Sequence, residues 1–356
     1  MRTWWLVVAA CNSTPQLTPE DATIDAAESD AARADAAAPL DPWNQPLGSA
    51  LAGVTLADGW TDLRALPAPM QIAGGWTDSL FATPDGVHLR FAYQPVDFFD
   101  FFNTMGSDVE LTGSALAGDS SATFQMFDAA LTGSGWTITA DPVDVPSLTM
   151  CSPASNASDD LLVFTEFAAS GQSTLYYSSF ANAAWSPPQA VPIGSGGAYD
   201  DNAKIDGELS GSVAVYFESN RGSAMQRTLY TTTYAGSAFS PVTSMGVATT
   251  NSDDSQPFVT ADQQTLYFTS VRDTGYGVFA ATRAGSAWTN IHPVAIPTTD
   301  PTKYAGNVTI LGEASVVTTP EGELLYMMCG LAENRQGSDT YGNANYVALI
   351  PCVARR

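Results

Sequence analysis

The chain from Asp253 to Pro297 is built of short runs in which bulky and small side chains alternate, each run broken by a polar turn. Pro257 to Thr260 predicts a first strand and Ala261 to Gln264 a turn. Thr265 to Ser270 and Gly277 to Thr282 follow as strands, and a last strand surrounds Trp288 and ends near Pro293. Period-two alternation between turn residues marks half-buried or buried strands rather than helices. One such four-stranded unit cannot bury both faces of its sheet, so the pattern calls for stacked copies.

Copies are present. The alternating second strand recurs at His88 to Tyr93, Leu161 to Thr165, Val213 to Glu218 and Glu323 to Met328, with large side chains at Leu89/Phe91, Leu162/Phe164, Val215/Phe217 and Leu325/Met327. Thr83-Pro84-Asp85-Gly86 and Thr319-Pro320-Glu321-Gly322 supply hairpin turns, because Pro presets φ, the acid bonds local backbone and Gly accepts positive φ. Third strands are predicted at Phe124 to Ala130, Thr174 to Ser179, Thr228 to Thr233 and Asn345 to Ile350. Last strands are marked by Trp136, Trp185, Phe239 and Trp288, each after a small residue and before Ser or Thr. The fifth unit ends at Arg356 without this mark, whereas an unpaired copy, Gly59-Trp60-Thr61, precedes the first. An N-terminal strand near Trp60 that completes the C-terminal blade makes both counts five and removes the open sheet edges. The predicted fold is therefore all-β, a propeller of five blades of four antiparallel strands closed by the N-terminal strand. Gly75-Trp76-Thr77 fits the same mark and leaves a sixth, degenerate blade as the alternative.

The best units carry more than alternation. Asp253-Asp254, Pro257, Leu266-Tyr267-Phe268-Thr269-Ser270-Val271-Arg272, Phe279-Ala280-Ala281-Thr282-Arg283 and Trp288 together resemble the WD40-like PD40 repeat of TolB-type β-propellers. Val215-Tyr216-Phe217-Glu218-Ser219-Asn220-Arg221 resembles it as well. The likeness runs in degenerate form over residues 54 to 352 and is strongest from 200 to 290. Unit one keeps Pro84-Asp85-Gly86 without the arginine, and unit two keeps neither. The resemblance implies a propeller and a cell-envelope setting; it implies no catalytic activity.

Before the repeats the chain changes character. Residues 1–10 give one positive charge, a short apolar run and small residues before Cys11, the layout of a secretory signal. Val8-Ala9-Ala10-Cys11 resembles a bacterial lipobox, which implies lipid on Cys11, and Asn12 fits export to the outer membrane. Residues 11–46 are rich in Ala, Asp, Glu, Thr and Pro and lack an aromatic before Trp43, so they read as a disordered tether. The propeller is placed at 47–356. Its expected setting is a lipid-anchored monomer facing the periplasm or the cell surface.

Charge narrows the partners. The 356 residues carry 13 Lys+Arg against 37 Asp+Glu, a net charge of −24, which excludes nucleic acid and bare anionic lipid as ligands. A protein or glycan of the envelope fits better. Inter-blade links and loops from second to third strands share one propeller face, and the candidate binding residues collect there: Asp78, Asp201, Arg221, Asp254 and Arg272. The pairs Asp200-Asp201 and Asp253-Asp254 either form a carboxylate ring for a cation, calcium being the candidate, or fasten their own turns and pair with Arg221 and Arg272. Recurrence favours the fastening. No other cofactor is implied. An insertion from Gln94 to Ala122 holds Phe98, Phe99, Phe101 and Phe102 between aspartates. Those rings either fold back on their blade, the default, or dock a partner as an exposed apolar loop. With the acids read as fastenings, this insertion is the leading candidate for binding.

Catalytic parts are scarce. His88 and His292 are the two histidines, and both read as packed or surface residues; no G-x-S-x-G, H-E-x-x-H or P-loop occurs. A non-enzymatic module is the main expectation. The alternative is a five-bladed glycoside hydrolase using two deep carboxylates with one pKa raised. Cys151, Cys329 and Cys352 are scattered, and with Cys329 at the end of a second strand and Cys352 at the end of a third, no bond between them is expected. The sequons at Asn156 and Asn307 are read as chance.

Overall fold

The computed structural model describes residues 40–71, 75–96, 124–143, 149–167, 172–194, 199–222, 226–236, 238–247, 253–272, 275–298, 307–334 and 345–356. Cys11, the tether up to residue 39 and Phe98, Phe99, Phe101 and Phe102 lie outside them. The first two strands of the described residues, β1 (Val54–Leu56) and β2 (Thr61–Ala65), belong to the last two sheets of the chain. Five antiparallel sheets then follow in chain order.

Blade one holds β3 (Trp76–Ala82), β4 (His88–Gln94), β5 (Gln125–Thr132) and β6 (Gly135–Ala140). Blade two holds β7 (Met150–Ser155), β8 (Leu161–Phe167), β9 (Ser173–Ala181) and two outer fragments, β10 (Ala184–Trp185) and β11 (Gln189–Ala190). Blade three repeats that plan with β12 (Asp200–Gly207), β13 (Ser212–Ser219), β14 (Thr228–Ala235), β15 (Ala238–Phe239) and β16 (Thr243–Ser244). Pro187 and Pro188 in one blade and Pro241 in the other interrupt the outer strand, as befits an edge that must not recruit another chain. Blade four contains β17 (Asp254–Val259), β18 (Thr265–Arg272), β19 (Gly275–Ala284) and β20 (Ala287–Pro297). Blade five has β21 (Val308–Thr319), β22 (Gly322–Asn334) and β23 (Asn345–Arg355).

The N-terminal strands finish the ring. β2 pairs with β23, Thr61 opposite Arg355 and Ala65 opposite Cys352, and supplies the fourth strand of blade five. β1 adds a fifth strand to blade four, with Val54 opposite Pro297. Five apolar cores lie between successive blades. Met126 meets Leu162 and Phe164, Val163 meets Val215, Tyr216 meets Leu266, Tyr267 meets Leu325, and Leu80 meets Tyr326 across the closure. The second strands are buried on both faces for this reason, which is why they read as the most regular apolar runs. Trp76 opens the inner strand of blade one, so Gly75-Trp76-Thr77 is not an outer strand and the blades number five.

One expectation fails. Cys329 and Cys352 are joined, with their Cα atoms 5.9 Å apart. β22 runs on to Asn334, so Cys329 is not at a strand end; it faces Ile350 while Cys352 faces Met327, two positions along the same ladder. The error came from ending that strand at Met328.

Candidate functional site

Every blade breaks register in its innermost strand at the same place. The ladder slips between Asp78 and Phe81, Cys151 and Ala154, Asp201 and Lys204, Ser255 and Phe258, and Gly312 and Ser315. Within each bulge one residue other than glycine takes left-handed φ: Ser79 (60°), Ser152 (55°), Asn202 (50°), Gln256 (52°) and Glu313 (58°). Such backbone costs about 1 kcal/mol or more per residue and persists where surrounding bonds hold it. Here the five side chains supply those bonds to one another.

The bonds form a circuit around the propeller axis. Ser79 and Ser152 share a hydroxyl hydrogen bond of 3.1 Å, and Ser152 Oγ lies 3.0 Å from Asp201 Oδ1. Asn202 Nδ2 donates to Glu218 Oε2 at 3.2 Å, and the same oxygen accepts from Gln256 N at 2.9 Å. Gln256 Nε2 donates to Glu313 Oε1 at 3.0 Å. Leu80 N, next to Ser79, donates to Glu313 Oε2 at 2.5 Å and closes the ring from blade five to blade one. Lys204 spans the ring from blade three, its Nζ 2.9 Å from Leu80 O and 5.3 Å from the centre of the Phe81 ring. At Gly312 an added Cβ would stand 2.5 Å from Gln256 Oε1, so glycine makes room for the circuit.

Burial governs the charges. Glu218, Asp201 and Glu313 are at most 2% exposed, whereas Asp78 keeps intermediate exposure. Burial pushes Glu218 up to about 7 against the pull of Arg227, which is 3.1 Å away. Burial, then the neighbouring charge of Asp78, raises Glu313 well above the carboxylate range, and the two carboxyls are hydrogen-bonded. Asp78 and Asp201 are raised, again chiefly by burial. Lys204 is pushed down to about 8 by burial, opposed by the carboxylates of Glu313, Asp78 and Asp201. Proton sharing between crowded acids follows from this arrangement.

The remaining sequence candidates fall elsewhere. Arg221 forks onto both oxygens of Asp200 at 2.8 Å, takes Ser219 Oγ on its Nε and lies over Phe217 and Tyr230. Arg272 makes the same latch with both oxygens of Asp254 (3.0 and 2.8 Å), with Ser270 Oγ and over Phe268. The Ser-x-Arg pattern therefore ties first and second strands of one blade, and Arg272 also donates to Val247 O, in the link from blade three, at 2.8 Å. The acidic pairs are also out of step by one residue: Asp200 matches Asp254, Asp201 matches Ser255, and Asp253 instead reaches back to Arg227 of blade three at 2.6 Å. Asp200, Asp201 and Asp254 lie in strands, and Asp253 lies in the link just before β17. Among the described residues no group of three or more His, Cys, Asp or Glu is placed to hold a metal ion.

Missed altogether were Ser79, Ser152, Glu218, Asn202, Lys204, Gln256 and Glu313. All but Glu218, which lies in the second strand β13, share one signal, a polar residue inside an inner strand, and no two blades use the same sequence around it. Arg90 is a buried clamp between blades one and two, bonded to Asp141, to Ser155 at 3.1 Å and to Asp159 at 2.7 Å.

Fold and site together define a five-bladed β-propeller with a polar, hydrogen-bonded axis. No protein-family model matches the chain. No curated protein matches it either. Among solved structures, TolB from Acinetobacter baumannii is similar at 11% identity over 79% of this chain, with a TM-score of 0.40, and this chain spans 54% of that one. An α-L-arabinofuranosidase from Podospora anserina is similar at 11% identity, 87% of this chain and 96% of that one, TM-score 0.44. A protein of unknown function from Dyadobacter fermentans is similar at 10% identity, 85% and 100% coverage, TM-score 0.42.

Proposed function

We propose that this propeller is a non-catalytic binding or scaffold module of the cell envelope, carried by lipid on Cys11 and engaging a protein or glycan through the face that bears the insertion after β4. The observation behind the choice is the axial ring. A hydrolase needs two carboxylates that reach substrate, and here Asp201, Glu218 and Glu313 spend their oxygens on amides and hydroxyls of the ring and are sealed from solvent. Propeller chemistry at the axis is then fastening, and recognition passes to the loops.

Cross-linking in intact cells tests this. Wild-type chain is compared with a deletion of residues 97–104; partner capture is expected to disappear while the melting midpoint stays put. Loss of the midpoint instead would make the phenylalanines core and remove the binding face. Cys11→Ala should move the protein from the membrane to the soluble fraction, and retention in the membrane would refute the anchor.

A second reading draws on one observation: burial raises Glu218 to about 7, where a general acid of glycoside hydrolysis would have to sit. A panel of aryl glycosides separates the two. Turnover that Glu218→Gln abolishes would establish the hydrolase and overturn the binding module.

A further inference from the structure

Blade five differs from the others in how it is assembled. Blades one to three are each made from one continuous stretch of chain, and blade four borrows only the short β1 for its outer edge. Blade five joins β21, β22 and β23 to β2, strands almost three hundred residues apart. Bringing such remote segments together carries the largest loop-closure cost in the molecule. β2 is also short, and its ladder to β23 is itself broken between Thr61 and Arg64.

The disulfide lies at this joint. Cys352 sits on β23 opposite Met327 on one side and Ala65 of β2 on the other, so it is the residue on which the closing strand lands. Cys329 and Cys352 are both fully buried, in the core that also contains Trp60 and Leu63 of the N-terminal segment. Leu66 N donates to Pro351 O at 2.9 Å, next to the bonded cysteine. The third described cysteine, Cys151, is buried in the inner strand of blade two.

We infer that oxidation of Cys329 and Cys352 is a lock on ring closure: it fixes the β22–β23 register that receives β2, and it is set where thiols are oxidised, outside the cytosol. The chemistry is exchange with an external disulfide, either a protein oxidant or a small-molecule disulfide. One cysteine thiolate attacks that disulfide, forming a mixed disulfide and expelling one thiolate. The second cysteine then attacks the mixed disulfide, forming the Cys329–Cys352 bond and expelling the other; the external disulfide leaves as two thiols. Stable disulfides of this kind belong to exported proteins. The lock rests on the envelope reading only for where oxidation happens.

The test uses the full chain taken from cells and quenched with a thiol-trapping reagent in denaturant. Expected is trapping of Cys329 and Cys352 only after reduction; trapping of both without reductant overturns the inference. On the same oxidised sample, reduction is expected to speed hydrogen exchange in the peptide covering 60–66 and to lower the melting midpoint by roughly 5 °C. Unchanged exchange there would show a bond without a role in closure and would equally overturn the lock. The Cys329→Ala/Cys352→Ala chain should reproduce the reduced state; where it does not accumulate, reduction of the native chain decides. The mass of the N-terminal peptide reads lipid on Cys11 separately, so an oxidised pair without lipid removes the anchor and leaves the lock standing.

Discussion

The latches of blades three and four and the axial ring hold the same propeller by opposite means. Arg221 and Arg272 are near copies: each is steadied by a serine two residues earlier, each forks onto an aspartate of the first strand, and each covers a phenylalanine. The five bulge residues that face the ring have no two alike except Ser79 and Ser152. Position explains the contrast. The aspartate and serine that a latch holds lie within one blade, so its chemistry is reusable wherever the blade recurs. The axis is a single place shared by five blades, where five copies of any one charge would meet. Like charges crowded in a low-dielectric interior cannot all stay ionised. A donor must therefore face an acceptor from a different blade, and the repeat has to be broken there.

The largest test of this view is Glu313. Replacement by alanine strips Leu80 N and Gln256 Nε2 of their acceptor and opens a cavity, for an expected loss of about 3–5 kcal/mol in denaturant unfolding. Glu313→Gln keeps the shape and can still donate to Asp78 as the protonated acid does, but forfeits one acceptor site, so about 1–2 kcal/mol is expected. Equal losses for the two variants would mean that Glu313 is held as an anion and that the proton-sharing account of the axis is wrong.

Next in size is pH. Glu218 titrates near 7 in the fold, above the 4.5 of a free glutamate, so between these values the folded chain binds more protons than the unfolded one. Stability is then highest on the acid side and falls as pH rises through 7, by on the order of 3 kcal/mol for a shift of this size. Lys204 works in the other direction, because its value near 8 lies below 10.5 and stability recovers from pH 8 upward. Melting midpoints should therefore pass through a minimum between about 7 and 8. Glu218→Gln should flatten the acid limb and Lys204→Met the alkaline limb. A profile identical to wild type in Glu218→Gln would place that charge outside the ring's balance.

How far the sequence could be read follows the same division. Apolar alternation at Leu266/Phe268 or Val215/Phe217 is set by burial between blades, and every blade repeats it, so strand order, blade number and the closing strand after Trp60 were all legible. The Ser-x-Arg latch was visible as a recurring motif but not as contacts, since spacing along the chain does not say which carboxylate lies across the sheet. That is how Asp201 and Asp254 came to be matched although one faces the axis and the other a latch. The ring was not legible because a bulge at Asn202 or Gln256 leaves no apolar period to detect, and its partners come from blades remote in sequence. Strand length hid the disulfide: β22 runs on to Asn334 and β23 to Arg355, so Cys329 and Cys352 lie within one ladder, two positions apart, and not at strand ends.

A smaller effect separates a reusable latch from a mere ion pair. Lysine at position 272 keeps the charge but cannot hold Asp254 through one nitrogen and Ser270 through another, nor cover Phe268, and Asp254 is fully buried. Arg272→Lys is expected to cost about 1–2 kcal/mol, and Arg221→Lys about the same, read from urea midpoints. If either costs nothing, planar two-point contact is not what the motif provides and the charge alone suffices.

The finest comparison is in couplings. The two latches sit in different blades and share no partner, so Arg221→Lys and Arg272→Lys should add, with a coupling below about 0.5 kcal/mol. Asn202 and Gln256 also sit in those two blades, yet both donate to one oxygen of Glu218. Asn202 does so through its side chain, and Gln256 through its backbone N while its own side chain serves Glu313. Asn202→Ala and Gln256→Ala therefore act on neighbouring links of one circuit, and their effects should depart from additivity by 0.5 kcal/mol or more. Additive behaviour at both places would dissolve the distinction, leaving the axis as a set of independent bonds rather than a ring. Coupling confined to the axis would show that blades three and four communicate through their centre and not through the repeated motif that makes them look alike.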